Sequence, residues 1–164
     1  MSPQHRCVPA GQRRSVARLI AVQALYQLEL AGGRPDAAIL QAQEFARRFG
    51  DEPDELELVD ADPAMIKNLV YGVVNRCVVI DKLIDEILSA DRSVGRLDSL
   101  LRITLRAGAY ELLYRPDINP PIVINEYVDI AKAFFSNKEP TLVNGVLDRL
   151  AQSPSIDEKS STDL

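Results

Sequence analysis

A long apolar periodicity runs through one segment of the chain, from Asp62 to Leu88. Its apolar residues recur every three or four positions, the spacing that places side chains on one face of an α-helix. Asp62 and Pro63 supply an N-cap and a favoured first-turn residue. We therefore predict a long helix whose inward face is formed by Ile66, Leu69, Val70, Val73, Val74, Cys77, Ile80, Ile84, Ile87 and Leu88.

Five further segments have helical spacing, and nowhere does the period of two expected for a strand compete with it. We therefore predict an all-α fold: a compact bundle of six to seven helices in two small subdomains that share one hydrophobic seam. In the fifth helix Phe134 is expected to face the core, and Phe135 to be the exposed neighbour. The predicted segments are 12–31, 35–49, 97–115, 119–135 and a last helix after Pro140.

Composition divides the chain into three parts: a flexible basic arm at 1–11, one helical domain at 12–151 and a disordered polar tail at 152–164. No run of 18 apolar residues occurs, so we predict no membrane span, and the N-terminus lacks the features of a secretion signal. Cys7 and Cys77 are expected to be reduced thiols in the cytoplasm. With His5 as the one histidine, we expect no metal and no cofactor.

Charge is distributed unevenly along a chain whose net charge is −5. Residues 1–28 contain four arginines and no acid, whereas residues 51–62 contain seven acids and no base and are expected to form a solvated loop. A net negative charge counts against nucleic-acid binding, because phosphate binding depends on lysine and arginine releasing counterions. The basic end is therefore a local patch on an acidic protein.

Catalytic residues are few, and we predict that the protein is not an enzyme. The chain has no Ser-His or Cys-His pair beyond its N-terminal arm and no glycine-rich phosphate loop. Two carboxylate pairs have helical spacing, Glu126 with Asp129 and Asp81 with Asp85. We interpret both as solvated faces, because such spacing is common in helical proteins.

The basic patch is a candidate RNA-binding site. Arg13, Arg14 and Arg18 lie at the start of the first helix, where arginines oppose the helix dipole and so contribute little to helix stability. Arg14 and Arg18 are four residues apart, so their guanidinium groups are expected to project from the same side and grip phosphates. Tyr26 could add a stacking surface. The alternative is that the arginines only confer solubility and that Tyr26 is a core residue.

A second candidate site is a polar and aromatic corner between the last two predicted helices. It contains Lys132, Phe134, Phe135, Asn137 and Lys138. A base could stack there beside a lysine that binds phosphate. The alternative, that Phe134 belongs to the core, is favoured by its helical spacing.

Four blocks together resemble the NusB family: ARLIAVQALYQLEL at 17–30, AYELLYRPDIN at 109–119, VINEYVDIAKAFF at 123–135 and LVNGVLDRL at 142–150. The resemblance implies two small helical bundles that bind the boxA element of ribosomal RNA transcripts together with NusE, a small-subunit ribosomal protein. It also implies assembly with RNA polymerase and other Nus factors to suppress termination.

By position, the family's RNA-binding residues correspond to Arg13, Arg14, Arg18, Tyr26, Lys132, Phe134 and the start of the block at 142. Leu142 stands where the family often has an aromatic residue, so a stacking surface is missing and Lys138 is expected to compensate electrostatically. For the protein partner, the resemblance points to exposed residues of the fourth and fifth helices. The candidates are Leu101, Arg102 and Glu111.

Four other residues of these blocks are interpreted as having a role in the fold rather than in binding. Gly145 is expected to let helices approach each other, and Asn144 to satisfy buried backbone groups. Asn125 and Glu126 are expected to belong to a buried polar network.

Two other functions are compatible with the sequence. One is a helical adaptor or homodimer with little RNA binding of its own. The other is the RNA-binding domain of a ribosomal RNA cytosine methyltransferase, which we disfavour because no nucleotide-binding fold follows in the sequence.

Overall fold

A computed structural model describes residues 10–49 and 61–153. Within these ranges the chain forms six α-helices and no strand, which confirms the predicted all-α fold. A single turn of 3₁₀ helix, Val94–Arg96, precedes the fourth helix. The helices are α1 (Ala10–Ala31), α2 (Pro35–Phe49), α3 (Pro63–Ile87), α4 (Ser99–Tyr114), α5 (Pro120–Phe134) and α6 (Glu139–Gln152).

The helix ends follow local sequence signals. Asp62 caps α3, because its Oδ1 accepts a hydrogen bond from the Met65 amide at 3.2 Å. Two glycines end α1: Gly32 and Gly33 have φ of 69° and 97°, which residues with a Cβ rarely adopt. The Gly32 amide donates to the Leu28 carbonyl at 2.9 Å, which satisfies a group of the last turn.

Three sequence predictions fall partly or wholly outside the described residues. The first helix begins at Ala10 rather than at residue 12, so the last two residues of the predicted arm are helical. The rest of the arm lies outside the described residues. So do most of the predicted acidic loop and all but the first two residues of the predicted tail, Gln152 and Ser153. No helix of the described ranges has the length and apolar character needed to cross a bilayer.

The chain divides between Val70 and Tyr71, within α3, into two compact units. In the N-terminal unit, α1 and α2 pack together. The buried residues of α1 include three alanines, Ala17, Ala21 and Ala24. The core of this unit consists of Ala17, Ile20, Ala21, Val22, Ala24, Leu25, Ala38, Ile39, Ala42, Met65, Ile66, Leu69 and Val70.

In the C-terminal unit, α4 packs against α5 and α6, and those two pack against each other. Helix α4 is the most buried, because buried positions occur around most of its circumference. Inside this unit the Tyr127 hydroxyl donates a hydrogen bond to Glu111 Oε2 at 2.8 Å. Both side chains have an exposed fraction of 0%. The hydrogen bond therefore joins α4 to α5 inside the core.

The connection from α3 to α4 is held by side-chain hydrogen bonds. Asp85 Oδ1 accepts from the Val94 amide at 2.7 Å, and Asp98 caps α4 by accepting from the Leu100 and Leu101 amides. Along α3, Asp81 forms a two-pronged ion pair with Arg106, with both N–O distances at 2.7 Å. The interpretation of Asp81 and Asp85 as a merely solvated pair was therefore wrong, because each holds a neighbouring element in place.

Gly72 of α3 leaves room for the ring of Tyr110, which belongs to α4. A Cβ built on Gly72 would lie 2.1 Å from the Tyr110 ring, which is itself stacked on Tyr114 with ring centres 5.2 Å apart. We predict that Gly72→Ala lowers the free energy of unfolding by about 1–3 kcal/mol, because overpacking must displace a buried ring. Urea unfolding followed by circular dichroism measures the change.

Gly145→Ala provides the matched control for this exchange. A Cβ at Gly145 meets nothing within 4 Å, so alanine there is expected to stabilise α6 by up to about 1 kcal/mol through helix propensity. Equal effects of the two exchanges would contradict the packing role of Gly72.

Candidate nucleic-acid interface

Two arginines are accessible at the start of α1. Arg14 is exposed and Arg13 is half-buried, and the first turn of the helix contains no acid. Because the N-terminal end of a helix carries a partial positive charge, the arginines and the backbone both contribute positive charge here, beside Asp62, whose amide donates to the Arg13 carbonyl at 3.4 Å. We call Arg13 and Arg14 the α1 arginine pair.

Arg18 does not belong to this accessible pair. Its exposed fraction is 2%, and it is among the largest fully buried side chains of the described chain. The expectation that Arg14 and Arg18 project from the same exposed side was therefore wrong. The four-residue spacing puts the two residues on the same side of α1, but that side is covered one turn further along, at Arg18. Tyr26, nearer the end of α1, is half-buried.

The predicted corner lies where α5 ends and α6 begins. Lys132 and Lys138 are exposed, and Leu142 is half-buried in the first turns of α6. The expectation that Phe134 faces the core and Phe135 is exposed was wrong: Phe134 is 44% exposed, and Phe135 is half-buried. Phe135 already lies beyond the helix, with extended backbone, so its side chain does not follow the helical phase.

A cavity of about 440 Å³ opens beside this corner, between the end of α3 and α6. Lys138 and Leu142 line it, together with two arginines that we did not predict from sequence, Arg92 and Arg149. The Arg149 guanidinium donates to the Ile87 carbonyl at the end of α3, at 3.2 Å. No local signal could have revealed this cluster, because its members come from segments more than forty residues apart in the chain.

The three predicted partner-binding residues are mostly buried. Leu101 is 5% exposed and Glu111 is 0% exposed, so the expectation that they lie on the surface was wrong. Arg102 is half-buried, and its guanidinium donates to the carbonyls of Gly95 and Leu97 at 3.3 and 3.1 Å. Burial, together with the positive charge of Arg106, lowers the pKa of Arg102.

Several residues that we predict to have a role in the fold do not have the surroundings that this role requires. Asn144 and Asn125 are exposed, so neither belongs to a buried polar network. Gly145 does not bring helices together, because the space in front of it is empty. In this unit that role belongs to Gly108, where a Cβ would lie 2.8 Å from Leu147.

Cys77 adjoins the ion pair of Asp81 and Arg106 in α3 and α4. Its thiol is within 3.7 Å of Asp81 Oδ2. Burial raises the pKa of Cys77, with Asp81 adding to the rise and Arg106 opposing it. The thiol is therefore less reactive than an exposed cysteine. Among the residues that the structure describes, no three His, Cys, Asp or Glu side chains are grouped to hold a metal ion.

The described helices and surfaces thus define a small all-α protein with an electropositive helix end in one unit and a cationic cavity in the other. Comparison with known proteins identifies the family. Residues 15–152 match the NusB family model, and the chain belongs to the NusB family.

One relative is the transcription antitermination protein NusB of Brucella anthropi, 48% identical over 141 residues that span 86% of this chain and 83% of the relative. Among solved structures, NusB of T. maritima is 27% identical, with a TM-score of 0.70, over 90% of this chain and 96% of that one. A crystal structure of the antitermination factors NusB and NusE in complex with dsRNA matches at 26% identity and a TM-score of 0.68. That match spans 86% of this chain and 97% of the solved chain.

Proposed function

We propose that this chain is a non-enzymatic, RNA-binding transcription antitermination factor that acts together with NusE. The observation that carries the proposal is the match of most of the chain to NusB proteins, one of which has been solved with NusE and dsRNA. On this basis the adaptor or homodimer with little RNA binding is not favoured. The natural RNA is the boxA element of ribosomal RNA transcripts, which the family resemblance implies. The protein then works in the cytoplasm with RNA polymerase and other Nus factors.

Two surfaces of the described chain support RNA binding. In the N-terminal unit, the α1 arginine pair offers guanidinium groups to phosphates at an electropositive helix end. In the C-terminal unit, exposed Lys132 and Lys138 lie on either side of exposed Phe134 in the sequence, a combination suited to phosphate contact and base stacking. We propose these residues, with Tyr26 and Leu142, as the RNA-binding set, and we give Arg18 a positioning role in α1.

NusE needs a different surface from the one predicted, because Leu101 and Glu111 are buried. Exposed apolar side chains of α3 offer one: Val78 is 83% exposed, and Val74, one turn earlier, is 44% exposed, so the prediction that Val74 faces inward was wrong. Apolar residues in such a position are good anchors for a protein partner. We propose this face of α3 as the NusE contact, with Arg102 outside it because its guanidinium is engaged within the α3–α4 connection.

The RNA proposal is tested by removing the α1 arginine pair. We predict that the double variant Arg13→Ala with Arg14→Ala weakens binding of fluorescein-labelled boxA RNA by about tenfold, because two cations that bind phosphates are removed. The dependence of the logarithm of the affinity on the logarithm of the salt concentration should become shallower by about 0.7 for each arginine removed, the value for single strands. Fluorescence anisotropy, with and without NusE, measures both quantities.

The double variant Arg47→Ala with Arg48→Ala is the matched control, since it removes the same charge from exposed positions in the last turn of α2. It should change the affinity less than twofold. Equal losses of affinity in both double variants would mean that only net charge matters. We expect wild-type protein to bind weakly alone and more tightly with NusE, because a net-acidic protein with few phosphate contacts attracts RNA weakly.

A further inference from the structure

The cavity beside α6, of about 440 Å³, has an aliphatic floor and a cationic rim. The rim carries Arg92, Lys138 and Arg149. No acid is among the described residues that line the cavity, although Asp91 supplies a counter-charge to its neighbour Arg92. A cavity of this kind favours an aliphatic group that is followed closely by negative charge.

Helix α6 contributes one continuous face to this cavity. Leu142, Gly145 and Arg149 line it and are three or four residues apart, so they lie on the same side of the helix. Ser153 is four residues beyond Arg149 and continues that spacing. Its hydroxyl donates to the Arg149 carbonyl at 3.0 Å. The chain therefore leaves α6 on the side of the helix that lines the cavity.

The chain turns out of the helix at Ser153. Its backbone is extended there, with φ of −74° and ψ of 145°, and Pro154 follows, which disfavours helical backbone at the residue before it. Ile156 comes three residues after Ser153, and Asp157 and Glu158 follow it directly. The sequence that leaves α6 thus has the aliphatic group and the adjacent negative charge that the cavity favours.

The distances suit a segment that folds back along α6. At the helical rise of about 1.5 Å per residue, Gly145 lies about 12 Å back along the helix from Ser153. Three extended residues span about 10 Å, so Ile156 can reach this part of the cavity. A Cβ built on Gly145 meets no heavy atom within 4 Å, so an aliphatic side chain has room beside it. The two carboxylates that follow then come within reach of the rim.

Charge favours the same arrangement. Residues 154–164 contain three acids and one lysine, so their side chains carry a net charge of −2, opposite in sign to the rim. Because the segment is attached to α6, its effective concentration at the cavity is of millimolar order. An affinity too weak to capture a free peptide is therefore enough for substantial occupancy.

We propose that residues 154–158 fold back along α6 and dock in this cavity. Ile156 packs beside Gly145. The carboxylates of Asp157 and Glu158 lie on the cationic rim. The occupant is the chain's own tail because the point at which the tail leaves α6 is on the side of the helix that lines the cavity. Composition alone predicts a disordered tail, and the cavity supplies the packing that composition does not reveal.

The docked tail competes with RNA. It covers Lys138 and Leu142, which line the cavity and belong to the proposed RNA-binding set, and its carboxylates repel phosphates. The apparent affinity for RNA is then reduced to the fraction of molecules in which the tail is undocked. This consequence rests on the proposed function, whereas the docking of the tail does not.

Tryptophan fluorescence tests the docking directly, because the chain contains no tryptophan. In Ile156→Trp the indole should emit at a shorter wavelength than in the matched control Ser161→Trp, because the docked indole is shielded from water. Adding Gly145→Leu, which fills the cavity with a better helix former, should shift the emission of Ile156→Trp to that of the control. Asn144→Leu adds the same side chain at an exposed position outside the cavity and should leave the emission unchanged. Circular dichroism verifies that every variant is folded.

Fluorescence anisotropy with labelled boxA RNA tests the competition in the full chain. The triple variant Ile156→Ser, Asp157→Asn, Glu158→Gln should bind RNA about threefold more tightly than wild type, the gain expected if the tail is docked in about two thirds of the free molecules. Glu44→Gln with Asp129→Asn removes two exposed acids from α2 and α5. This control should change the affinity less than about 1.5-fold, because distant exposed charges are screened by salt.

The outcomes separate the docking from the proposed function. Equal emission from Ile156→Trp and Ser161→Trp overturns the inference, and RNA binding by wild type then leaves the proposed function standing. Shielded emission that Gly145→Leu reverses supports the docking even if wild type binds no RNA, in which case only the proposed function fails.

Three further results would overturn part of the inference. Shielded emission that Gly145→Leu leaves unchanged removes the cavity as the docking site. Shielded emission that is lost on dilution, together with a dimer in size-exclusion chromatography, assigns the tail to the cavity of a second copy. Unchanged RNA affinity in the triple variant, with docking shown by fluorescence, removes the competition with RNA.

Discussion

Arg18→Ala is expected to lower the free energy of unfolding by about 3 kcal/mol, a large part of the stability of a domain of this size. Arg18 is 2% exposed and is one of the largest side chains in the interior. A buried guanidinium persists only when its N–H groups are satisfied, so its removal leaves polar groups without their donor and vacates a large volume. Urea unfolding followed by circular dichroism measures the change.

Arg14→Ala is the matched control, because Arg14 is exposed one turn earlier on the same helix. It should change the stability by less than about 0.5 kcal/mol but weaken RNA binding. If instead Arg18→Ala kept full stability and bound RNA more weakly, Arg18 would be a direct RNA contact, as the family resemblance implies. Arg18→Lys cannot reproduce the planar fork and should recover only part of the stability.

Glu111→Ala is expected to destabilise the C-terminal unit by about 3 kcal/mol. The carboxyl group is completely buried and accepts the Tyr127 hydroxyl at 2.8 Å, so alanine leaves that hydroxyl without this acceptor and creates a cavity. Thermal and urea unfolding measure the change. Asp129→Ala, which removes an exposed acid from α5, should have an effect below about 0.5 kcal/mol.

The Glu111→Ala variant also tests whether Glu111 is a core residue or a residue that binds NusE. When the variant is kept below its unfolding temperature, it should bind NusE like wild type. Loss of NusE binding with unchanged stability would restore Glu111 to the interface that the family resemblance implies. A double-mutant cycle with Tyr127→Phe should give a coupling energy of at least about 0.5 kcal/mol, because the two residues are hydrogen-bonded.

Much of the candidate interface could be identified from sequence because its signal is local. The absence of acids before Leu28 locates the electropositive helix end, and the lysines around Phe134 locate the second corner. Arg92 and Arg149 could not be found in this way. They meet at one cavity only because the segment that follows α3 lies beside α6.

Local sequence signals specify the helices of the described chain and most of their ends. Apolar spacing, the Asp62 cap, the Gly32-Gly33 stop and the prolines act over a few residues, so tertiary contacts are not needed to read them. Which side of each helix is covered depends on the packing of the other elements against it. Periodicity defines a face but not the residue at which neighbouring helices begin to cover it. For that reason Arg18, Leu101 and Glu111 are buried while Phe134 is exposed, and the space in front of Gly145 is empty.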